Sequence, residues 1–255
     1  MLVDLHLHTT RYSRCAKASP DEMMAAAAAA GLDGVVITEH HVTWGVDEIA
    51  ALRRAHPRLR IFRGMEITTD RGRADILVLG VDRPEVLERD MRPHDAVRRI
   101  RAAGGTSVLA HPFRLASAIP AEFLAEPPDA YEVMSFNMLA YARRRAASLR
   151  DLLPTSHPLV ASDAHNTDGL GAYAIEVDDA VADEADLAQV VRDGQFRAVT
   201  DYSRLRERYP HWQRMQERVR VLAAAGASFN QIRLETRFNH PLVQFVMGGG
   251  DLLEG

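Results

Sequence analysis

Met1-Leu-Val-Asp-Leu-His-Leu-His8 reads as a short apolar strand that carries histidine at alternate positions. Side chains of a strand alternate between its faces. Val3, Leu5 and Leu7 are therefore expected on one face, and Asp4, His6 and His8 on the other. Two imidazoles on one face can close on a single cation, with Asp4 placed to orient a ring from behind. Taken alone, the same pattern fits a strand with two chance histidines. The motifs downstream decide between these two readings.

Short β-branched or aliphatic runs recur at 34–38, 60–62, 75–81, 107–110, 130–134, 159–161 and 174–177. Helix-like segments separate several of them. Ser19-Pro-Asp-Glu22 has the form of a capping box with Pro20 in the first turn, opening a helix that runs through Met23–Ala30 and stops at Gly31. Residues 95–103 form a second such segment, ending at Gly104-Gly105, and 141–153 a third, ending before Pro154. Strands alternating with helices imply parallel strands joined by crossover helices.

Polar residues gather where these runs end. Gly34-Val-Val-Ile-Thr-Glu-His-His41 ends in Glu39, His40 and His41. Arg60-Ile-Phe-Arg-Gly-Met-Glu66 ends in Glu66, and Ser107-Val-Leu-Ala-His-Pro112 in His111. Leu159-Val-Ala-Ser-Asp-Ala-His165 ends in Asp163 and His165, which share a face if the strand continues. In α/β folds, ligands collect at the C-terminal ends of parallel strands. Distant segments that each deliver His, Asp or Glu to one rim point to a metal cluster. Mixed imidazole and carboxylate ligation suits Zn, Mn or Fe, and the lack of paired cysteines argues against a structural zinc site.

Length and composition narrow the class. The chain has 255 residues, 47% hydrophobic and 26% charged, as in an ordinary globular protein with one sizeable core. A net charge of -4 offers no general basic field for nucleic acid. Cys15 is the single cysteine, so an internal disulfide is excluded and a cytoplasmic location is expected. The chain opens on a strand pattern instead of a secretory signal, and no apolar stretch is long enough to span a bilayer.

The set Asp4-Leu-His6-Leu-His8-Thr9, Thr38-Glu39-His40, Gly64-Met-Glu66, His111-Pro112 and Ser162-Asp163-Ala-His165 resembles the PHP (polymerase and histidinol phosphatase) family in order and spacing, over roughly residues 1–200. The resemblance implies an α/β fold, a distorted seven-stranded (βα) TIM-like barrel holding two or three divalent metals, and metal-dependent phosphoester hydrolysis through a metal-bridging hydroxide. It implies that His6, His8 and Asp163 bind a first metal, that Glu66 bridges to a second ligated by His111, and that His40 and His165 hold a third where one is present. Glu39 is then a partner of a ligand, and His41 a neighbour outside the ligand set. Two departures concern the third ion. Where the family often has a further His or Asp after the first motif, this chain offers only Cys15, which reads first as a small buried side chain and second as a ligand. Where the family often has a His, this chain has Asp75.

For phosphoryl chemistry a planar guanidinium is wanted near the metals. Arg114, three residues beyond His111, is the first candidate, ahead of Arg11, Arg14 and Lys17; His111 and Asp163 complete the expected catalytic set. His56, His94, His157, His211 and His240 each adjoin a proline and are assigned no role. Tyr12 and Asn137 lie in segments that face the site in similar proteins. The expected partner is a small phosphorylated or nucleotide substrate, with no membrane. A binuclear amidohydrolase is the second enzyme class in view. A regulatory protein that senses a ligand in its barrel is the third.

From residue 201 the strand pattern gives way to charged helical residues. His211–Ala225 reads as a helix, Ser228 as the cap of a second and Asn239 as the cap of a third, with Pro241 in its first turn. The 201–255 module has helix-turn-helix-like spacing, which would place a helix in a DNA groove. Helices packed on a barrel flank or mediating self-association give the same periodicity. Arg237 stands where the turn often has Gly, and eight Arg against six acids make only a slight positive excess, so DNA is the less favoured partner.

Overall fold

The structure, a computed structural model, describes residues 1–82, 84–114, 116–138, 140–236 and 240–252. In chain order its elements are β1 (Leu2–Leu7), α1 (Pro20–Ala29), β2 (Gly34–Ile37), α2 (Val46–Ala55), β3 (Arg60–Thr69), β4 (Ala74–Leu79) and α3 (Pro93–Ala102). There follow β5 (Thr106–Ala110), α4 (Glu122–Ala125), β6 (Ala130–Met134), α5 (Ala140–Ala147), α6 (Leu149–Leu152), β7 (His157–Val160) and β8 (Tyr173–Glu176). The chain closes with α7 (Glu184–Arg192), β9 (Arg197–Thr200), α8 (Tyr202–Arg208), α9 (Pro210–Ala224), α10 (Phe229–Thr236) and α11 (His240–Met247).

One nine-stranded sheet runs in the order β7-β6-β5-β4-β3-β2-β1-β8-β9, and its two ends approach each other so that it nearly closes. This corrects the expectation of seven parallel strands. β1, β2 and β3 are parallel, as are β5, β6 and β7, but β4 runs antiparallel to both neighbours and β8 and β9 join antiparallel. The reason is local: only residues 70–73 separate β3 from β4, too few for the crossover a parallel pair needs. The 60–62 run extends to Thr69, because Glu66 and the threonines are held by pairing with β4.

Three apolar clusters hold the barrel. Val3, Leu5, Val36, Phe62, Leu77, Leu79, Val108 and Leu159 fill the interior. Outside it, α1 and α2 cover β1 and β2 through Met23, Met24, Ile49, Val35 and Ile37, and α3 and α5 cover β4 to β6. The expected start of α1 is present as a full capping box: Glu22 N donates to Ser19 Oγ (3.3 Å) and Ser19 N to Glu22 Oε2 (2.7 Å). Its end is set by Gly31 at φ +78°, a conformation suited to glycine.

β1 departs from simple alternation. Val3 and Leu5 lie with the interior residues, whereas Leu7 packs outside with Val35 and Ile37. The pairing with β2 shifts register between Asp4 and Leu7, and this bulge re-aims the side chains beyond it.

The expected 141–153 helix is two shorter ones, α5 and α6, and α2 and α7 emerge where no helix was expected. Beyond β9 the described elements are helical. α9, α10 and α11 enclose their own apolar cluster of Val219, Ile232, Val243 and Val246. Ser228 caps α10, with Gln231 N donating to its Oγ (3.4 Å). The expected cap at Asn239 and the turn residue Arg237 lie outside the described residues. No described helix is long and apolar enough to cross a membrane.

Candidate metal centre

The strand ends bring together His6, His8, His40, Glu66, Asp75, His111, Asp163 and His165, whose ligand atoms fall into four overlapping groups, each within 4.8 Å. The groups are His6, His8 and Glu66; His6, His111 and Asp163; Glu66, Asp75 and His111; and His8, His40 and His165. Antiparallel β4 is what delivers Asp75. Being near the start of its strand, opposite Ala110 and Thr68, it reaches the rim that β3 and β5 reach at their ends.

Two carboxylates straddle these groups. Glu66 places Oε1 2.9 Å from His111 Nε2, and Oε2 3.3 Å from His8 Nε2 and 2.8 Å from His40 Nδ1. Asp163 Oδ1 lies 3.3 Å from both His6 Nε2 and His8 Nε2, and its Oδ2 accepts from Asn137 Nδ2 (2.6 Å).

The residues behind the imidazoles set their tautomers. His6 Nδ1 donates to Glu132 Oε1 (2.7 Å), while Glu132 Oε2 accepts from the backbone N of His111 (2.7 Å). Ser13 Oγ donates to Glu39 Oε2 (2.5 Å), so at 3.3 Å it accepts from His8 Nδ1. With both Nδ1 protons used this way, the Nε2 lone pairs of His6 and His8 face each other only 3.1 Å apart. A cation or a proton must lie between them. Glu66 Oε2 and Asp163 Oδ1 are likewise buried with no properly directed donor among the described residues. Buried carboxylates are normally paired or coordinate metals. This donor set therefore fits divalent ions, with nitrogen and oxygen ligands of the kind Zn, Mn and Fe accept.

The electrostatics agree. Burial works against charged imidazoles, yet the carboxylates overcome it. Asp163, Glu132 and Glu66 hold His6 well above the ordinary imidazole range, and the Glu66 hydrogen bond with the same charges lifts His111 to about 9. Burial would raise Glu66 and Asp163, but His6 and its neighbours hold both below the usual carboxylate range. The centre is an anionic cage that retains positive charge.

Four of the seven non-glycine residues with positive φ among the described residues lie at the same place, the others being Asp70, Arg71 and Asp90. His41, His111, Phe113 and Asp163 all adopt positive φ, of 59°, 27°, 66° and 53°. Each such residue costs on the order of 1–3 kcal/mol. β7 ends at Val160, so Asp163 and His165 meet the cluster through this turn and not as alternate positions of a continuing strand. His165 Nδ1 donates to the Asp163 carbonyl (3.0 Å), and burial lowers its pKa.

Several expectations are corrected. Asp4 does not orient an imidazole: its Oδ1 accepts from the backbone N of Ser162 (3.0 Å) and of His6 (3.3 Å), and burial pushes its pKa to about 6. Glu132 is the residue that holds the His6 ring. Sequence reasoning misses it, although a carboxylate inside the apolar run Ala130-Tyr-Glu-Val-Met134 is a readable signal. Cys15 is exposed, not a small buried side chain; its Sγ lies 3.3 Å from His40 Nε2, outside the four groups. Arg11 and Tyr12 turn away to Glu48, and Arg14 and Lys17 are exposed. Arg114 approaches Asp163 Oδ2 to 4.0 Å. His41 is half-buried, its backbone N donating to Glu66 O (2.8 Å).

Sequence profiles match two stretches of the chain: a PHP domain over residues 4–97 and a PHP-associated domain over residues 141–196. No curated protein matches. Solved structures of similar fold include a two-domain protein from Bacteroides vulgatus containing a predicted PHP-like metal-dependent phosphoesterase. It is 16% identical, with 79% of this chain and 65% of that chain covered and a TM-score of 0.62. A lesion-specific endonuclease from Pyrococcus furiosus is 16% identical over 77% of this chain and 57% of its own, with a TM-score of 0.56. An amidohydrolase from Chromobacterium violaceum with bound sulfate and no metal is 19% identical over 64% of this chain and 87% of its own, at 0.52. With the two profiles together spanning more than half of the sequence and the five motifs converging on one rim, the chain belongs to the PHP family.

Proposed function

We propose that this protein is a metal-dependent phosphoesterase acting on a small phosphorylated or nucleotide substrate, as a phosphatase or phosphodiesterase. The observation that carries this is the division of Glu66 and Asp163, each with its two oxygens shared between separate sets of imidazoles. Two-ion phosphoester hydrolysis wants such straddling carboxylates. His6, His8, Glu66 and Asp163 would hold one ion, and Glu66, His111 and Asp75 a second. His8, His40 and His165 would take a third. Ions so held would supply Lewis acidity to an attacking water and to the phosphoryl oxygens.

The chain's own groups do the rest. Glu132 fixes the His6 ring and the backbone that carries His111. Ser13 and Glu39 fix His8. Asn137 holds the outer oxygen of Asp163, and Arg114 stands exposed where its guanidinium can take phosphoryl oxygens in a planar fork. A neutral amide substrate would have little use for that cation, which weighs against the amidohydrolase alternative. Elemental analysis followed by a panel of phosphomonoesters and diesters with added Mn, Zn or Fe tests the proposal. Release of phosphate or cleavage of a diester that stops in chelator is expected. A metal-loaded protein that cleaves amides and no phosphoester would overturn it.

A further inference from the structure

A cavity of about 330 Å³ opens beside the cluster, lined by Asp163, His165, Arg114, Asn137, Phe136 and Tyr209. Its volume is at the low end of small-molecule sites. Five of these residues belong to the barrel. Tyr209 does not: it sits at the junction of α8 and α9, in the segment beyond the last strand.

Its position is firmly set. Asp201 caps α8 through Arg204 N (3.0 Å), and Leu205 is buried against Val160, Ala172 and Tyr173. Arg204 ties the same helix to the barrel, donating to the carbonyls of Leu170 and Ala30 at 3.1 Å each. Tyr209 N then donates to Leu205 O (3.0 Å), and its half-buried ring lies 5.8 Å from Phe136 at 58°. Phe136 in turn lies hard against Gly169, where any Cβ would collide with its ring. Two fixed aromatic rings thus share a cavity with the Arg114 side chain and with Asp163 and His165 of the candidate metal centre.

We infer that Tyr209 is a specificity-determining residue of the substrate site. With Phe136 it receives an aromatic or heteroaromatic ring carried by the alcohol part of the phosphoester, which makes the helical extension part of the active site. This rests on the phosphoesterase proposal. Aromatic rings gain from offset or edge-to-face contact beyond simple burial, and such a contact is worth roughly a 2- to 10-fold change in affinity.

The test is equilibrium binding of phenylphosphonate and methylphosphonate, which are not hydrolysed, to the metal-loaded full chain. The unaltered protein should prefer phenylphosphonate. Tyr209→Leu keeps apolar bulk but no ring, and should weaken phenylphosphonate by roughly 2- to 10-fold while leaving methylphosphonate within twofold. Tyr209→Phe should retain the preference. In turnover of phenyl phosphate, Tyr209→Leu should raise KM with kcat held, because the ring stands off the reacting atoms. Equal affinity of Tyr209→Leu and the unaltered chain for phenylphosphonate overturns the inference, as does an equal loss for both ligands. An unaltered chain that binds both phosphonates without preference overturns this inference alone. One that binds neither overturns the phosphoesterase proposal as well.

Discussion

Glu132→Gln is the sharpest perturbation of the candidate metal centre, because it changes one atom of a residue buried behind the His6 ring. The carboxylate is fully buried and accepts two short bonds, from His6 Nδ1 and from the His111 backbone, both at 2.7 Å. A glutamine has one acceptor and one donor end. If its oxygen serves His6, its amide faces the His111 N–H, and a buried donor loses its partner at a cost of about 1–3 kcal/mol. If its oxygen serves His111, the His6 ring must shift its proton to Nε2, which removes the lone pair aimed at the cluster. Either way the ligand that presents Nε2 is less well oriented and less basic.

Loss of such an outer partner typically costs 10- to 100-fold in metal affinity, or about 1.4–2.8 kcal/mol. Competition titration against a chromophoric chelator reads this directly, with far-ultraviolet circular dichroism to show that the fold persists. Asp129→Asn is the control. That buried carboxylate accepts from Ser107 N and Oγ, both at 2.8 Å, away from the cluster, so its loss should lower Tm and leave metal affinity alone. A folded Glu132→Gln protein with unchanged metal affinity would refute the assignment of His6 as a ligand held by Glu132.

Glu66→Gln should lower the number of bound ions per chain, measured by elemental analysis after dialysis; full metal content would show that Glu66 does not bridge. Arg114→Ala should raise KM for an anionic phosphoester by roughly 10- to 100-fold, as expected for a lost charge-assisted hydrogen bond, with Arg114→Lys falling between. An unchanged KM removes Arg114 from the site. The metal-free protein should lose stability as pH rises from about 6.5 to 9. His6, His8 and His111 have raised folded values, about 9 for His111, against an ordinary 6.5. Their contribution is complete below 6.5 and disappears as each loses its proton. Asp4, pushed up by burial from an ordinary 3.8 to about 6, adds its penalty earlier, as pH rises from 3.8 to about 6. The depressed Glu66 and Asp163 act at the other end, losing their contribution as pH falls through the carboxylate range. Metal-loaded protein should behave oppositely over 6.5 to 9, because ligand imidazoles must shed protons to bind. Melts in chelator that are flat or rising over this window would contradict these signs.

How much of the molecule is legible in its sequence depends on what each feature needs. A strand that ends in Glu66 or His111 announces itself locally, because an apolar run stops at a polar residue, and the Ser19 capping box is written in four consecutive residues. The direction of β4 is not legible from its own residues; it is set by the short link at 70–73, whose length carries the information. The bulge in β1 leaves no mark in Met1–His8, since simple alternation already accounts for its polar and apolar residues. Glu132 does leave a signal, as a charge placed within an apolar run. Tyr209 leaves none, since a tyrosine between two charged helices is ordinary until tertiary packing sets it beside Phe136.

The irregularities share a location, and that location gives them a cause. A regular parallel barrel would offer the rim one side chain from each strand end, spaced by the strand separation of roughly 4.8 Å. Ligand atoms must approach within about 2 Å of a common ion, which regular strand ends do not achieve. The β1 bulge re-aims His6 and His8, antiparallel β4 brings in Asp75 from a strand start, and positive φ at His111 and Asp163 turns those residues inward. Each device costs pairing or conformational energy, and each one lies among the residues that converge. Departures from local preference that cluster at one rim are what a functional site imposes on an otherwise consistent fold. On the same grounds, Asp163→Gly should relieve strain at φ +53° in the metal-free state. It should lower Tm less than the loss of a buried, multiply paired carboxylate would suggest, while abolishing tight metal binding. A large drop in Tm with metal affinity retained would mean that the turn is held for packing and not for ligation.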